Sequence, residues 1–302
     1  MAEGTATAGD ERPRRQVDAP LVEPWANTGL LEVFRRRYLL RLLVRREIAA
    51  RYQGSFLGII WSYINPLTQF FMFYVVIGVI IDLRDVEQFG VHMFAGLVVV
   101  VFFTETFNAG TRSIRRNKAL VSKMAVPREM FPVASMMVSG FHMGPSLVIL
   151  TTACLILGWT PDLVGLGALL LAVVLMMVLG TGLALMFSVA NVYFQDIGNA
   201  INVLTNFVRF SVPMIYPFTM VEQRFGEGSA EYYLMNPLAQ AVLLMQRTFW
   251  VGTTEDPEAT AASHLPDHLF TRGFIMLAVA LVVLALGQWV FSRLQNKIPE
   301  HL

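Results

Sequence analysis

Five stretches of this 302-residue chain are apolar and long enough to cross a lipid bilayer. They are Phe56–Ile81, Phe89–Gly110, Val133–Leu157, Leu163–Ala190 and Phe274–Ser292. A sixth stretch, Asn199–Phe218, is more polar but is also long enough. A helix of about 20 residues spans a hydrocarbon core of about 30 Å, so all six stretches qualify by length. We therefore predict an all-α integral membrane protein with six transmembrane helices.

The lysines and arginines lie almost entirely on one side of these segments. Of the 23, ten precede the first span, six lie from Arg112 to Arg128, and two follow the last span. Cytoplasmic loops of membrane proteins carry the excess of Lys and Arg. We therefore expect both termini to lie in the cytoplasm.

The composition agrees with a membrane protein, since 55% of the residues are apolar and 15% are charged. The first 29 residues are polar, so we expect no cleavable signal peptide and a disordered cytoplasmic tail over residues 1–29. The single cysteine, Cys154, excludes a disulfide bond within one chain.

Residues 30–52 form a strongly basic segment that precedes the first span. Arg37, Arg41 and Arg45 are four residues apart, so they share one face of a helix. This pattern predicts an interfacial amphipathic helix held by anionic lipid headgroups. A role in gating or in substrate entry is the alternative.

A further apolar run, Leu238–Val251, lies between the fifth and sixth spans. About 14 residues is short for a crossing, so we predict a re-entrant or interfacial external helical element here. A seventh crossing would also place Arg293 and Lys297 outside the cell, against the charge rule.

Several kinds of chemistry are absent from the sequence. It contains no phosphate-binding G-x-x-x-x-G-K-[ST] motif, no Cys/His set with metal-ligand spacing and no G-x-S-x-G motif. We expect this chain to have no catalytic residues and to bind no metal or cofactor. If it transports actively, the energy comes from a partner protein or an ion gradient.

Polar residues recur along the fifth span at spacings of three and four residues, which predicts one helical stripe. They are Asn199, Asn202, Asn206, Arg209, Pro213 and Tyr216. Arg209 is about ten residues from the cytoplasmic end, or about 15 Å deep by helix rise. Either the stripe makes hydrogen bonds between helices, with Arg209 paired to Glu105 or a carbonyl, or it lines a hydrophilic conduit.

The first span carries aromatic and amide side chains four residues apart: Trp61, Asn65, Gln69 and Phe73. Aromatic faces and amides together suit sugar rings, which present C–H patches and hydroxyl groups. Interfacial aromatics that pack against neighbouring helices are the alternative interpretation.

The connection after the second span predicts a short amphipathic helix from Ser113 to Lys123. Pro127, Arg128 and Glu129 follow it, and Pro132 opens the third span. A helix on the membrane surface with a rigid break behind it is able to transmit force from a soluble partner. An ordinary basic loop would explain the charge but not the two prolines.

Five motifs in this order resemble one known family. They are LLVRREIAARYQGSFLGIIWSYINPL (Leu42–Leu67), NKALVSKMAVPREMFP (Asn117–Pro132), NVYFQDI (Asn191–Ile197), VPMIYP (Val212–Pro217) and NPLAQ (Asn236–Gln240). The sequence resembles the permease subunits of ATP-binding-cassette exporters for bacterial surface polysaccharides, which include O-antigen, capsule, teichoic-acid and mycobacterial galactan exporters. The family usually has arginine before the aspartate of the third motif, NVYFQDI, whereas this chain has Gln195 at that position.

The resemblance implies a homodimer in the bacterial plasma (inner) membrane that exports a lipid-linked glycan. Two separate ATPase subunits would bind ATP and Mg and dock beneath it, and no nucleic acid is implied. The resemblance assigns coupling to the ATPase to Asn117, Leu120, Val121, Lys123, Met124, Pro127, Arg128, Glu129, Tyr193, Phe194, Gln195 and Asp196. It assigns the translocation path to Trp61, Asn65, Gln69, Phe73, Asn202, Asn206, Arg209 and Tyr216. It also likens the helix with Arg37, Arg41 and Arg45 to the family's interfacial or gate helix.

Two other classes of function stay open at this point. A drug or small-lipid exporter permease would have the same architecture. An ion-coupled carrier or a non-transport scaffold is disfavoured, because Glu105 is the only clear intramembrane acid.

Overall fold

The computed structural model describes residues 29–80, 86–123, 126–295 and 298. The predicted tail, apart from Gly29, lies outside these residues, and so does Met124. Within the described residues all regular structure is helical, which confirms the all-α prediction. The α-helices are α1 (Leu30–Arg35), α2 (Arg37–Tyr52), α3 (Trp61–Phe73), α4 (Phe89–Arg116), α5 (Lys118–Lys123), α6 (Met130–Ile156), α7 (Leu163–Tyr193), α8 (Ile197–Val208), α9 (Phe218–Phe225), α10 (Glu227–Leu234), α11 (Pro237–Phe249), α12 (Pro257–His264) and α13 (Leu269–Leu294).

Five helical segments in the described ranges are long and apolar enough to cross a membrane. They are Gly58–Ile80, α4, α6, α7 and α13. The first combines a 3-10 turn, α3 and a π-helix over Tyr74–Ile80. The protein is therefore a multi-pass membrane protein, as the apolar stretches predict.

The predicted fifth span, Asn199–Phe218, is not one continuous helix. The helix α8 ends at Val208 and has only 12 residues, and residues 209–217 form turns. Pro213 has no backbone N–H to continue the helical hydrogen bonds. The Ser211 hydroxyl also donates to the Val208 carbonyl, 2.9 Å away, and so occupies a carbonyl at the helix end. The expected stripe is wrong beyond Arg209, so Pro213 and Tyr216 do not belong to it.

The segment 197–214 nevertheless runs along α4. Near its start, the Gly198 carbonyl accepts a hydrogen bond of 2.8 Å from Arg112. Near its end, Met214 packs against Gly96. Arg112 and Gly96 are sixteen residues apart on α4 (112 − 96), which corresponds to about 24 Å of helix rise.

The helix α11 is almost wholly buried among α4, α7 and α13. At its C-terminal end, the Thr248 hydroxyl donates to the Gly165 carbonyl near the start of α7. Next to it, the Trp250 indole N–H donates to the Glu87 carbonyl just before α4. The opposite end, at Pro237, lies eleven residues away (248 − 237), or about 16 Å deeper in the bundle.

The predicted basic helix over residues 30–52 is divided in two. Arg36 has φ −91° and ψ 38°, and this separates α1 from α2. Leu40 and Leu43 are buried where α2 packs against α6, whereas Arg37, Arg41 and Arg45 are all exposed. These three arginines share an outward face, as their spacing predicts.

The predicted surface helix from Ser113 to Lys123 is also divided. Ser113 belongs to α4, which continues past Gly110 to Arg116, and α5 holds only the last six residues. The Asn117 amide donates to the Ser113 carbonyl, 3.0 Å away, and so occupies a backbone acceptor at the end of α4.

Candidate translocation cavity and cytoplasmic contact surface

A cavity of about 340 Å³ lies between α3, α4, α6 and α8. Five of the eight residues predicted for a translocation path line it: Trp61, Asn65, Gln69, Asn202 and Arg209. The polar residues of the first and fifth predicted spans therefore do face one common space. Trp61 contributes an aromatic wall, and the amides contribute donors and acceptors.

Three predicted path residues do not line this cavity. Phe73 packs against the apolar core. Asn206 is exposed one helical turn beyond Asn202 on α8 and does not reach the cavity. The Tyr216 hydroxyl donates to the Phe210 carbonyl, 2.9 Å away, because the turns after Val208 carry it away from the helical stripe.

Two helices contribute polar side chains that the sequence interpretation missed as path residues. Glu105 and Asn108 come from α4, and Ser139, His142 and Ser146 come from α6. Ser139, His142 and Ser146 are three and four residues apart, so they lie on one helical face. That periodicity was the available signal.

A second cavity, of about 530 Å³, continues the first toward the basic end of the bundle. Both cavities are lined by Arg51, Glu105, Asn108 and Ser139. The second adds charged and polar residues from α2 and the end of α4: Arg46, Glu47, Arg112, Arg116 and Asn117. The two spaces are contiguous and form one polar groove from Asn117 to Arg209.

Polar contacts tie α2 to the wall of this groove. Arg51 forms an ion pair of 2.5 Å with Glu105. Farther along α2, Glu47 pairs with Arg116 at 2.7 Å. The Tyr52 hydroxyl lies 2.9 Å from His142 Nδ1 on α6. The basic helix is therefore part of the groove and does not lie on the bundle surface alone.

Within the part of the chain that the structure describes, Arg209 forms no ion pair, and its Nε atom is buried without a hydrogen-bond partner. No pairing of Arg209 with Glu105 is seen among the described residues, where Glu105 forms its ion pair with Arg51. Arg209 shares the cavity wall with Val101 and Phe102, at the middle of α4. A charge at the bilayer centre costs at least about 2.5 kcal/mol. The negative end of the α8 dipole offsets only about 0.3–1 kcal/mol, so the guanidinium is left uncompensated.

The exposed face of α5 differs from the predicted contact residues. Val121 is buried against the α2–α6 contact, and Leu120 is half-buried there. Lys118, Ala119 and Ser122 are exposed. Asn117 is also buried and donates to Glu47 at 3.1 Å. The side chain of Lys123, like Met124, lies outside what the structure describes.

The segment between α5 and α6 is tied to the last helix. Glu129 is fully buried and accepts a hydrogen bond of 3.3 Å from Gln288 on α13. Arg128 donates to the Gln295 carbonyl. Half-burial lowers the pKa of Arg128, and the adjacent Glu129 acts in the opposite direction. Pro127 is buried as well, so this segment is a joint between helices rather than an exposed contact.

The turn after α7 is the more exposed of the two predicted contact regions. Phe194, Gln195 and Asp196 are all exposed, and Phe194 presents an apolar ring to solvent. Tyr193, just before them, is half-buried and donates to the Leu294 carbonyl.

Residues 38–250 match the family model described as ABC-2 type transporter, which is well over half of the chain. The chain belongs to this family. The O-antigen export system permease protein RfbA of Myxococcus xanthus is 26% identical over 90% of this chain and 98% of its own length. The protein of the same name from Klebsiella pneumoniae is 23% identical over 87% of this chain and 95% of its own length.

Membership of the ABC-2 type transporter family makes this chain a transport subunit and implies pairing with ATP-binding subunits. The family match spans every residue that lines the two cavities. It ends before α13 and the following Gln295, which carry the carbonyls that Tyr193 and Arg128 contact. The polar groove is therefore part of the ABC-2 region of the chain.

Proposed function

We propose that this chain is the membrane-spanning subunit of an ATP-driven exporter of a lipid-linked glycan. The substrate is a cell-wall or surface polysaccharide such as galactan, O-antigen or teichoic acid, moved from the cytoplasm to the exterior. The observation that carries the proposal is the contiguous polar groove from Asn117 to Arg209, walled by amides and by Trp61. The relatives named as O-antigen export permeases support it.

The topology of this proposal has six crossings, with both termini on the cytoplasmic side of the plasma (inner) membrane. The segment 197–214 supplies the sixth crossing as a broken helix, since it follows α4 over about 24 Å. This number of crossings agrees with the Lys/Arg excess at both ends of the chain. The element α9–α11 then enters the membrane from outside, since α11 starts deep in the bundle and ends beside Glu87 and Gly165. Broken backbone at membrane depth is tolerated where it lines a cavity.

A second copy of the chain completes the conduit in this proposal. In the segment Gly58–Ile80, only 17% of the most apolar 18-residue stretch is buried. The corresponding share in α4 is 83%. The neighbouring α8 also exposes Val203, Phe207 and the adjacent Phe210. Lipid is able to cover these apolar faces but not the polar groove between them, which suits a homodimer whose two grooves face each other.

ATP and Mg are bound by separate ATPase subunits in this scheme. Those subunits dock on the exposed face of α5 (Lys118, Ala119, Ser122) and on the turn Phe194–Asp196. The apolar ring of Phe194 suits insertion into a pocket of the partner. Both regions lie at the end of the bundle where the basic residues gather.

A glycan fits the groove better than an apolar drug or a small lipid does. The wall presents Asn65, Gln69, Asn108 and Asn202, whose amides pair with sugar hydroxyls. An apolar substrate would leave these groups desolvated without partners, at a cost of about 1–3 kcal/mol each.

The test uses the chain reconstituted in proteoliposomes with and without its ATP-binding subunit. We expect no ATP hydrolysis by the chain alone, and hydrolysis together with glycan export by the complex. An ATPase variant that cannot hydrolyse ATP is the matched control. In cells depleted of the chain, lipid-linked glycan should accumulate inside. Normal surface glycan after depletion would overturn the proposal.

A further inference from the structure

The charges that line the cavity do not balance. Three charged side chains line it: Arg51, Glu105 and Arg209. Arg51 and Glu105 pair with each other, so among the described residues Arg209 has no counter-charge, and its Nε atom is buried without a hydrogen-bond partner. By contrast, Arg247 faces Asp162 at 2.7 Å at the other end of the bundle. The cavity therefore carries one uncompensated positive charge at membrane depth.

A second unpaired donor lies in the same cavity. His142 Nδ1 is within hydrogen-bond distance of the Tyr52 hydroxyl, at 2.9 Å, and of the Ser62 hydroxyl, at 3.1 Å. We assign Nδ1 as the acceptor, since both hydroxyls are able to donate to it. In a neutral imidazole this assignment places the proton on Nε2. His142 Nε2 is buried and has no partner in the described part of the chain.

Unpaired acceptors accompany these donors. Gln69 Oε1 and Asn108 Oδ1 are both buried without a hydrogen-bond partner. Both residues line the cavity with Arg209 and His142. The wall thus offers N–H donors, one of them cationic, together with carbonyl acceptors. An oxyanion accepts from the donors, and hydroxyl groups donate to the acceptors.

We infer that this cavity binds an oxyanion attached to a sugar, with the phosphate ester or carboxylate on Arg209 and the sugar hydroxyls on the Gln69 and Asn108 oxygens. The inference rests on the proposed function and narrows its substrate to an anionic one. Two sources supply this chemistry: the phosphate that joins a glycan to its lipid, or an acidic sugar within the glycan. A neutral glycan leaves the Arg209 charge unmatched.

The test is a calorimetric binding measurement on the purified chain in phosphatidylcholine nanodiscs, which contain no anionic lipid. The probes are glucose 1-phosphate, dodecyl phosphate, glucuronate and glucose. We expect glucose 1-phosphate to bind about 10- to 100-fold more tightly than glucose. Preference for dodecyl phosphate assigns the site to the lipid phosphate, and preference for glucuronate assigns it to an acidic sugar; either supports the inference. Equal affinities for glucose and for all three anionic probes overturn it.

Variants separate Arg209 from general charge effects. Arg209→Gln should abolish the preference for the anionic probes, and Arg209→Lys should keep part of it because the charge remains. Arg224→Gln is the matched control, since it removes the same charge from an exposed position on α9 and should change nothing. Asn202→Asp places a carboxylate on the same cavity wall and should also abolish the preference without removing Arg209. A preference that survives both Arg209→Gln and Asn202→Asp overturns the inference.

Export by the complex with its ATP-binding subunit is scored separately. If the wild-type chain shows no preference for anions but the complex exports a neutral glycan, this inference is overturned and the proposed function stands. If Arg209→Gln loses anion binding but the wild-type complex exports no glycan, the proposed function is overturned and the anion site stands.

Discussion

The Tyr193 hydroxyl donates a hydrogen bond of 3.1 Å to the backbone carbonyl of Leu294, at the C-terminal end of α13. Arg128 donates to the next carbonyl, that of Gln295. The last carbonyls of a helix have no partner within the helix, so side chains from elsewhere are able to bind them. Both regions predicted to contact the ATPase are thereby joined to adjacent residues at the end of the last helix. We therefore expect a displacement of either region to be transmitted to α13.

Replacement of Tyr193 by Phe tests this joint, because it removes only the hydroxyl group. We expect the complex to keep its ATPase activity while the amount of glycan exported per ATP falls about two- to tenfold, the equivalent of one net hydrogen bond. The measurement is the ratio of export to hydrolysis in proteoliposomes. Tyr232→Phe, on the exposed part of α10, is the control. An unchanged ratio in Tyr193→Phe would show that the joint does not transmit force.

Because Val121 is buried, a mutation of α5 affects either the stability of the chain or its binding to the ATPase, depending on which residue is changed. Val121→Glu would bury an unpaired charge, so we expect a loss of several kcal/mol in unfolding free energy before any ATPase is added. Ser122→Glu lies on the exposed face and should change stability by less than about 0.5 kcal/mol. We expect it to weaken binding of the ATP-binding subunit. Thermal unfolding and a pull-down separate the two effects, and normal binding by Ser122→Glu would remove α5 from the docking surface.

The pairing of Glu231 on α10 with Arg272 on α13 is expected to be sensitive to acid. Two hydrogen bonds of 2.7 Å join the guanidinium to both carboxylate oxygens. The bonds from Arg272 are the main reason that the pKa of Glu231 lies below its ordinary value of 4.5. A lowered pKa in the folded state gives a contribution that is present above the unfolded pKa and is lost as pH falls through the folded pKa.

We therefore expect Glu231→Gln to unfold at a lower temperature than the wild type at pH 7. The difference should shrink as the pH falls below 4.5 and vanish once the pH lies below the folded pKa of Glu231. Glu222→Gln, an exposed change on α9, is the control and should show no such convergence. A difference that is constant over this pH range would mean that the ion pair contributes nothing.

The crossing helices were predictable because hydropathy and length are local properties of the sequence. Continuous apolar runs identified all five of the segments that the structure shows as long and apolar enough to cross. The periodic arginines of α2 were predictable for a similar reason, because a helix repeats every 3.6 residues. Trp61, Asn65 and Gln69 line the cavity at their predicted spacing.

The break after Val208 was not predicted, because the three-and-four spacing of polar residues continues past it to Tyr216. Pro213 was the contrary signal, since it cannot donate to a helical ladder. The roles of Glu105 and His142 depend on which faces of α4 and α6 contact α2. Such a long-range contact cannot be inferred from the local pattern of a single sequence. The burial of Val121 likewise depends on packing against α2 and α6.

The packing of α7 against α13 offers the sharpest stability test, because Gly182 and Gly287 bring the two backbones into contact. A Cβ on Gly287 would collide with the Gly182 carbonyl, and one on Gly182 would lie 2.8 Å from the Leu284 Cα. Such backbone contact is possible only with small residues, so Gly287→Ala forces the helices apart. We expect Gly287→Ala to lower the unfolding free energy by about 1–3 kcal/mol, as overpacked cores do.

Gly140→Ala on α6 is the matched control for Gly287→Ala. The nearest atom to the place that its Cβ would occupy is in the Phe102 ring, 3.8 Å away, which is an ordinary contact. Alanine also loses less backbone entropy than glycine in a helix, so Gly140→Ala should raise stability by about 0.5–1 kcal/mol. Thermal unfolding of both variants in the same nanodiscs measures the two changes with opposite signs. If Gly287→Ala unfolded at or above the wild-type temperature, the close crossing of α7 and α13 would be wrong, and with it the rigid connection between the Tyr193 turn and the last helix.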